Sequence, residues 1–322
     1  MRYFVIYNPH ARGGRGAADA HRCLALLSHA GCTFDAAETR QFDDAFTLSR
    51  EANQRGYDAV LAIGGDGTIN KVLNGFFDEN GMRISRARFG VVHTGTSPDF
   101  CRSYGLPLGI DDAVGTILHG RTRPIPVGMI RFPLRSEADG RAVRYFACCA
   151  NIGLGATLAA RANAGIRKRL GDTMGTLWSL LLILRTYTPD SYECIIDGSP
   201  LRLSAVYNIS IGLTPHIASG IKVANEEYRR AGQFYLMTLR AVNTRNLLPL
   251  LRLLYRGKKF ADTDYLSVRG CTILRIEERA VRGDVEHDGD PCGVLPCEIS
   301  IAAQPLDLLC RPASGDVFPG RP

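Results

Sequence analysis

Three short stretches place glycines, carboxylates and hydrogen-bonding side chains where apolar runs stop. In LAIGGDGTIN, residues 61–70, an apolar run ends in Gly64-Gly65, a lone carboxylate, Asp66, stands between glycines, and Thr68, Ile69 and Asn70 follow at once. A buried strand ending at Ile63 and a helix starting near Thr68 would leave the N–H groups of the glycine turn free of Cβ obstruction. There they can surround a phosphate at a helix N-terminus. Asp66 alone would repel that phosphate, and a Mg²⁺ ion or its water shell between the two removes the objection. YNPHARGGRG, residues 7–16, leaves another apolar run through Asn8-Pro9 and offers backbone donors with the guanidiniums of Arg12 and Arg15. HTGTSPDF, residues 93–100, passes Gly95 and predicts Ser97 at the N-cap, Pro98 at N1 and Asp99 in the first turn of a helix. Each alone can be a plain turn. Three at one sheet edge predict a nucleotide polyphosphate site, and neither GxxxxGK[ST] nor GxGxxG occurs to make it a P-loop or a Rossmann dinucleotide site.

These loops need a parallel sheet behind them. RYFVIYNP, CTFDAAET, DAVLAIGG and RFGVVHTG read as strands, alternating with amphipathic runs over 16–30, 42–55, 68–77 and 111–118, which is the pattern of βα units. Ligands on such sheets sit at the carboxyl ends of the strands. From about Arg121 the pattern changes to closely spaced β-rich runs, among them YFACCANIG, LSAVYNISIG and QFYLMTLR, broken by helical insertions near Leu158–Tyr187 and Asn243–Tyr255. The expectation is an α/β domain over 1–123, to which the tail at 306–322 can return, and a mainly antiparallel β domain over 124–305.

Composition excludes several classes. With 45% hydrophobic and 22% charged residues, the 322-residue chain reads as globular. The apolar run before Asn8 is too short for a secretory signal, and LWSLLLIL, residues 177–184, is about half a bilayer crossing. The 10 cysteines are scattered without zinc or redox spacing and read as reduced and buried. A net charge of +7 suits a polyanionic partner such as a nucleotide or an anionic bilayer without choosing between them, and no nucleic-acid-binding role is expected.

GGDGTINKVLNG, with YNPHARGGRG before it and GTSPDFCRSYGLP after it, resembles the bacterial diacylglycerol kinase and lipid kinase family, relatives of sphingosine and ceramide kinases and more distantly of NAD kinase. The resemblance continues through NIGLGA, SGIKVANEEYRRAGQFYLMTLR and VEHDGDPCG and covers essentially the whole chain. It implies a diacylglycerol-kinase-like α/β domain followed by a β-sandwich, with ATP and Mg²⁺ as cofactors. ATP would be held by Asn8, Pro9, Thr39, Gly64, Gly65, Gly67, Thr68, Asn70, Gly95, Thr96 and Asp99. Asp66 would serve the catalytic centre, and Asp290, in Asp288-Gly289-Asp290, would occupy the general-base position where the family carries Glu.

The departures are Lys71 in place of a family Glu, Pro98 in place of Asn, and Ala231 in place of an Asp that supports a metal, so no metal ligand is assigned. The cluster over 161–171 is a candidate contact with an anionic membrane, the neighbouring TLWSLLLIL a candidate acyl tunnel, and His287 is expected to be exposed. The resulting expectation is an ATP-dependent kinase for a lipid hydroxyl, cytoplasmic and peripherally membrane-associated, with a homodimer open as one oligomeric option. A catalytically impaired lipid- or nucleotide-binding homologue and an NAD-type kinase remain as alternatives.

Overall fold

The computed structural model of the chain describes residues 1–41, 43–133, 143–161, 187–217, 221–223, 232–240, 244–277 and 284–311. The alternating runs of the first third build a six-stranded sheet from β1 (Arg2–Tyr7), β2 (Thr33–Glu38), β3 (Ala59–Gly64), β4 (Arg88–His93), β5 (Thr122–Ile125) and β19 (Leu306–Leu309), in the order β2-β1-β3-β4-β19-β5. The first four strands are mutually parallel. β19 runs parallel to β4 and antiparallel to β5, so the chain returns from its far end to this sheet.

β3 is apolar throughout because helices cover both faces. Val60 and Ala62 pack with Ala45 and Ala52 of α3 (Asp44–Gln54) and Ile69, Val72 and Leu73 of α4 (Asp66–Asn74). Leu61 and Ile63 pack with Ala20, Cys23 and Leu27 of α2 (Gly16–His29) and Ala113, Val114 and Ile117 of α6 (Ile110–His119). Each fully buried Val, Leu or Ile contributes about 1.5–3 kcal/mol relative to exposure.

Of the remaining strands, two, His216–Ile217 and Ile221–Lys222, form a separate antiparallel pair, and eleven form one antiparallel sheet. Its site-bearing members are β8 (Cys149–Gly153), β10 (Ser199–Gly212), β13 (Phe234–Arg240), β14 (Leu266–Cys271), β16 (Asp284–His287) and β17 (Asp290–Val294). Ile130 and Phe146, from one end of the sheet, share a core with Val285 and Cys292 from the other, so the sheet closes back around a sandwich-like interior. Two helices lie against it, α7 (Leu154–Arg161) and α8 (Thr244–Tyr255).

Several local expectations shift. α4 begins at Asp66, two residues before Thr68, because Gly65 takes the extended N-cap conformation (φ −82°, ψ 178°). Asp66 therefore stands in the first turn, where the helix dipole favours a carboxylate. Pro98 occupies the N-cap of α5 (Asp99–Tyr104), while the Ser97 hydroxyl turns to Asp99 Oδ2 at 3.4 Å instead of capping the helix. His287 is buried, not exposed, since it faces inward beside the β16–β17 turn. All ten cysteines are free thiols, eight of them buried. The basic cluster beyond Arg161, TLWSLLLIL and Ala231 lie outside the described residues.

Candidate active site

The loops leaving β1, β3 and β4 are tied together by their backbones. Asn8 N–H donates to Ile63 O at 3.0 Å, Thr94 N–H donates to Gly64 O at 2.8 Å, and Asn8 Nδ2 reaches Thr68 Oγ1 at 3.4 Å. A Cβ on Gly95 would fall 2.5 Å from Gly65 Cα, closer than real Cβ contacts allow, so this approach of the two strand ends requires glycine at position 95. This close approach brings the N-terminus of α4 and the Gly95-Thr96 turn to one edge of the sheet.

Asp66 sits at that edge with its side chain 18% exposed. Its Oδ2 accepts the Asp99 N–H at 3.1 Å, and Oδ1 lies 3.7 Å from His93 Nε2 with no hydrogen-bond donor among the described residues. Burial, reinforced by the like charges of Asp99 and Asp288, raises Asp66 well above the usual carboxylate range. His93 cannot neutralise it, because burial lowers the imidazole below its ordinary value and the ring is neutral at pH 7.

A largely buried carboxylate with an unused oxygen beside a glycine turn has the chemistry a hard cation would take. No group of three metal-binding side chains exists among the described residues, so Mg²⁺ held by Asp66 would complete its coordination with phosphate oxygens and water.

The opposite wall comes from the second sheet. The β16–β17 hairpin turns through Asp288 (φ 47°) and Gly289 (φ 91°) and carries two carboxylates of different character. Asp288 accepts the N–H groups of Ala147, Cys148 and Cys149 at 2.9–3.0 Å and Asn70 Nδ2 at 2.9 Å. Burial raises its pKa, and those donors oppose the rise. It pins the hairpin to β8 and to α4.

Asp290, two residues on, is a fifth exposed at its side chain and faces α4, with Oδ2 3.4 Å from Lys71 Nζ. A Cβ on Gly67 would lie 3.0 Å from the same oxygen. Gly67 and Lys71 are one helical turn apart, so a single face of α4 receives the Asp290 carboxylate.

A single cavity of about 620 Å³ runs between these walls. Of the residues expected to bind nucleotide, Asn8, Thr39, Gly65, Gly67, Thr68, Asn70, Gly95, Thr96 and Asp99 line it, together with Asp66 and Asp290. Pro9 and Gly64 do not. A Cβ on Gly64 would meet the Thr68 side chain at 2.5 Å, which gives that glycine a packing reason. Arg12 lines the cavity and Arg15 does not. Asn70 directs its amide to Asp288 and to the Tyr145 carbonyl, at 2.9 and 3.0 Å, and so joins the two sheets.

Sequence reasoning missed the far half of the cavity. Glu286, Asn151, Ser210 and Asn208 form a polar strip on its wall, and Met237, Leu239, Leu266, Leu250 and Leu254 continue it as an apolar surface. The available signal was the alternation in YNISIG, which reads equally well as an ordinary strand with one wet face.

Comparison with known proteins identifies the family and the fold. Residues 2–130 match the diacylglycerol kinase catalytic domain, and residues 149–310 match the YegS C-terminal NAD kinase beta sandwich-like domain. The chain is 27% identical over 298 residues to the diacylglycerol kinase of Bacillus subtilis (strain 168), covering 91% of each chain. It is 25% identical over 312 residues to that of Mycobacterium tuberculosis (strain H37Rv), covering 97% of this chain and 95% of the relative. Its fold superposes on the crystal structure of a diacylglycerol kinase from Bacillus anthracis (strain Sterne) with a TM-score of 0.69 at 18% identity, over 97% of both chains. With the two domain matches together spanning most of its length, the chain belongs to the bacterial diacylglycerol-kinase-like lipid kinase family.

Proposed function

We propose that this protein transfers the γ-phosphoryl group of ATP to the hydroxyl of a lipid, diacylglycerol or a similarly shaped amphiphile. The observation that carries the reading is the continuity of the cavity, in which the glycine turns of one sheet, the Asp290 carboxylate and an apolar surface border the same space. The Gly65–Thr68 and Gly95-Thr96 turns supply N–H donors and a helix N-terminus for the phosphates. Mg²⁺, when bound, neutralises phosphate charge and helps align the transferring group. Asp290 Oδ2 takes the proton of the lipid hydroxyl as its oxygen bonds to the γ-phosphorus, while the bond to the bridging oxygen breaks and its electron pair leaves with ADP. Positioning supplies most of the acceleration, since phosphoryl transfer asks little covalent chemistry of the protein.

Incubating the protein with labelled ATP, Mg²⁺ and either mixed micelles of lipid alcohols or NAD tests this directly. Label in a lipid is expected, label in NAD would overturn the lipid reading, and nucleotide binding without transfer would favour a protein that binds without catalysing. The Lys71–Asp290 ion pair favours that second reading, because an ammonium beside the base competes with the hydroxyl for the same oxygen.

We further propose a cytoplasmic protein that associates peripherally with anionic membranes, a reading supported by the net charge of +7. No helix among the described residues is long and apolar enough to cross a membrane. Sedimentation with anionic vesicles at low salt should recover the protein, and with neutral vesicles should not.

A further inference from the structure

The polar strip on the cavity wall is a row in strict register. Glu286 of β16 pairs with Asn151 of β8, Asn151 pairs with Ser210 of β10, and Ser210 pairs with Met237 of β13. Asn208, two residues from Ser210 and on the same face, pairs with Leu239, which pairs with Leu266 of β14. The neighbouring residues Val285, Ile152, Ile209, Ile211 and Leu236 point to the opposite face and fill the sandwich core. The sheet thus buries both faces, one as core and one as cavity wall, and the cavity face changes from polar to apolar across three strand spacings, roughly 14 Å.

The polar half has an asymmetric supply of hydrogen bonds. Asn208 Nδ2 donates to Asn151 Oδ1 at 3.1 Å and to Ser210 Oγ at 2.8 Å, and Ser210 Oγ donates to Asn151 Oδ1 at 2.5 Å. Asn151 Nδ2 donates to Glu286 Oε1 and, at 3.7 Å, to Cys149 Sγ. Asn208 Oδ1 is taken by the Gly155 N–H at 2.7 Å. The side-chain donors are therefore committed. Glu286 accepts one N–H on each oxygen, from Asn151 and from Gly289 at 2.8 Å, and a carboxylate has about four acceptor sites. What this wall can still offer a ligand is acceptor capacity, across the hairpin from Pro291 and one residue from Asp290.

Resting on the lipid kinase reading above, we propose that Glu286, held by Asn151, Ser210 and Asn208, binds a second hydrogen-bond donor on the acceptor lipid, a hydroxyl or an amide N–H adjacent to the hydroxyl that reacts. The chain or chains of that lipid lie toward Met237, Leu239 and Leu266. The subsite narrows the acceptor named above from diacylglycerol, whose ester groups only accept, to a similarly shaped amphiphile that carries a second donor. Burial pushes Glu286 up to about 7, with the Asn151 and Gly289 donors opposing the rise and the charges of Asp288 and Asp290 adding to it. Measurement therefore belongs at pH 8, where the ionised group can only accept.

The test compares 1-decanoylglycerol with its 2-O-methyl ether, which keeps the primary hydroxyl and the chain but lacks the second donor. Calorimetric binding is measured on wild type and Glu286→Gln below the micellar concentration, with phosphoryl transfer from labelled ATP followed in parallel. Wild type is expected to bind the diol at least about tenfold more tightly, the scale of a hydrogen bond to a charged group, and Glu286→Gln to lose most of that preference. Equal affinity of wild type for the two lipids, or binding of neither, overturns the subsite. Transfer to either lipid would still leave the kinase reading standing. Discrimination in binding without transfer to any lipid would keep the subsite and sink the kinase reading. The wild-type comparison decides the matter alone if the variant does not fold.

Discussion

The two walls of the cleft are built by different means. The wall from the first sheet is made of strand ends: glycines, backbone N–H groups and the first turn of α4, with Asp66 and Asp99 among its charged side chains. The wall from the second sheet is made of strand middles, where Glu286, Asn151, Ser210 and Met237 meet only because four strands are held in register. A strand-end wall suits a ligand whose recognised part is a set of equivalent oxygens, since main-chain donors serve them all. A strand-middle wall suits a ligand that is polar at one end and apolar at the other, since each register position can be chosen separately. The division is the one that the proposed polyphosphate and amphiphile would require.

Substitutions on each side should separate the two roles. The largest effect is expected from Asp290→Asn, which should lower turnover by roughly 10²–10⁴-fold while ATP affinity, measured calorimetrically, stays near wild type. Near-normal turnover would mean that the hairpin carries no proton acceptor at this position. Next, Asp66→Ala should abolish the rise in melting temperature caused by ATP with Mg²⁺, which at a hundredfold excess over the dissociation constant corresponds to about 2.7 kcal/mol. An unchanged shift would remove the Gly65–Thr68 turn from nucleotide binding.

A smaller effect follows from Glu286. Its folded-state value is raised from 4.5 to about 7, so between those limits the native chain holds more proton than the unfolded one and stability falls as pH rises. Glu286→Gln should flatten that part of the stability curve, as read from denaturant midpoints, and an unaltered slope would mean that the carboxyl is not buried as described. The smallest effect is expected from Gly67→Ala. The new methyl would lie 3.0 Å from Asp290 Oδ2 and displace the carboxylate by a few tenths of an ångström. Turnover should drop roughly several-fold with nucleotide affinity nearly intact. A larger loss of nucleotide affinity than of turnover would place Gly67 wholly on the phosphate side.

The strand-end wall was largely legible in the sequence. Its glycines, Asp66 and Thr68 are contiguous in the chain, and local chemistry explains why they stand together. The exact helix starts were less so, because Gly65 and Pro98 both serve as caps without a side-chain bond, and Ser97 and Thr68 nearby offered competing starts. Asp288 entered the sequence reading only as the neighbour of Asp290, and the structure adds its four donors from β8, α4 and the loop before β8. The polar row escaped notice because its members come from residues 151, 208, 210 and 286, and each strand alone has an unremarkable alternation. Lys71 was visible as a departure from the family, yet its pairing with Asp290 depends on how α4 meets the hairpin 219 residues away.

The return of β19 to the first sheet has a mechanical consequence. The backbone passes between the sheets at 126–127 on its way out and at 302–305 on its way back, and the Ala302 N–H donates to Val127 O at 2.8 Å, so the two passages run side by side. One passage would let the halves swivel. Two adjacent passages restrain torsion between the sheets, alongside the core that Tyr145 and Ala147 share with Phe76, Phe77 and Phe100. Cutting the return passage would release that torsional restraint and, by freeing β19 from between β4 and β5, would also open the sheet that carries the glycine turns.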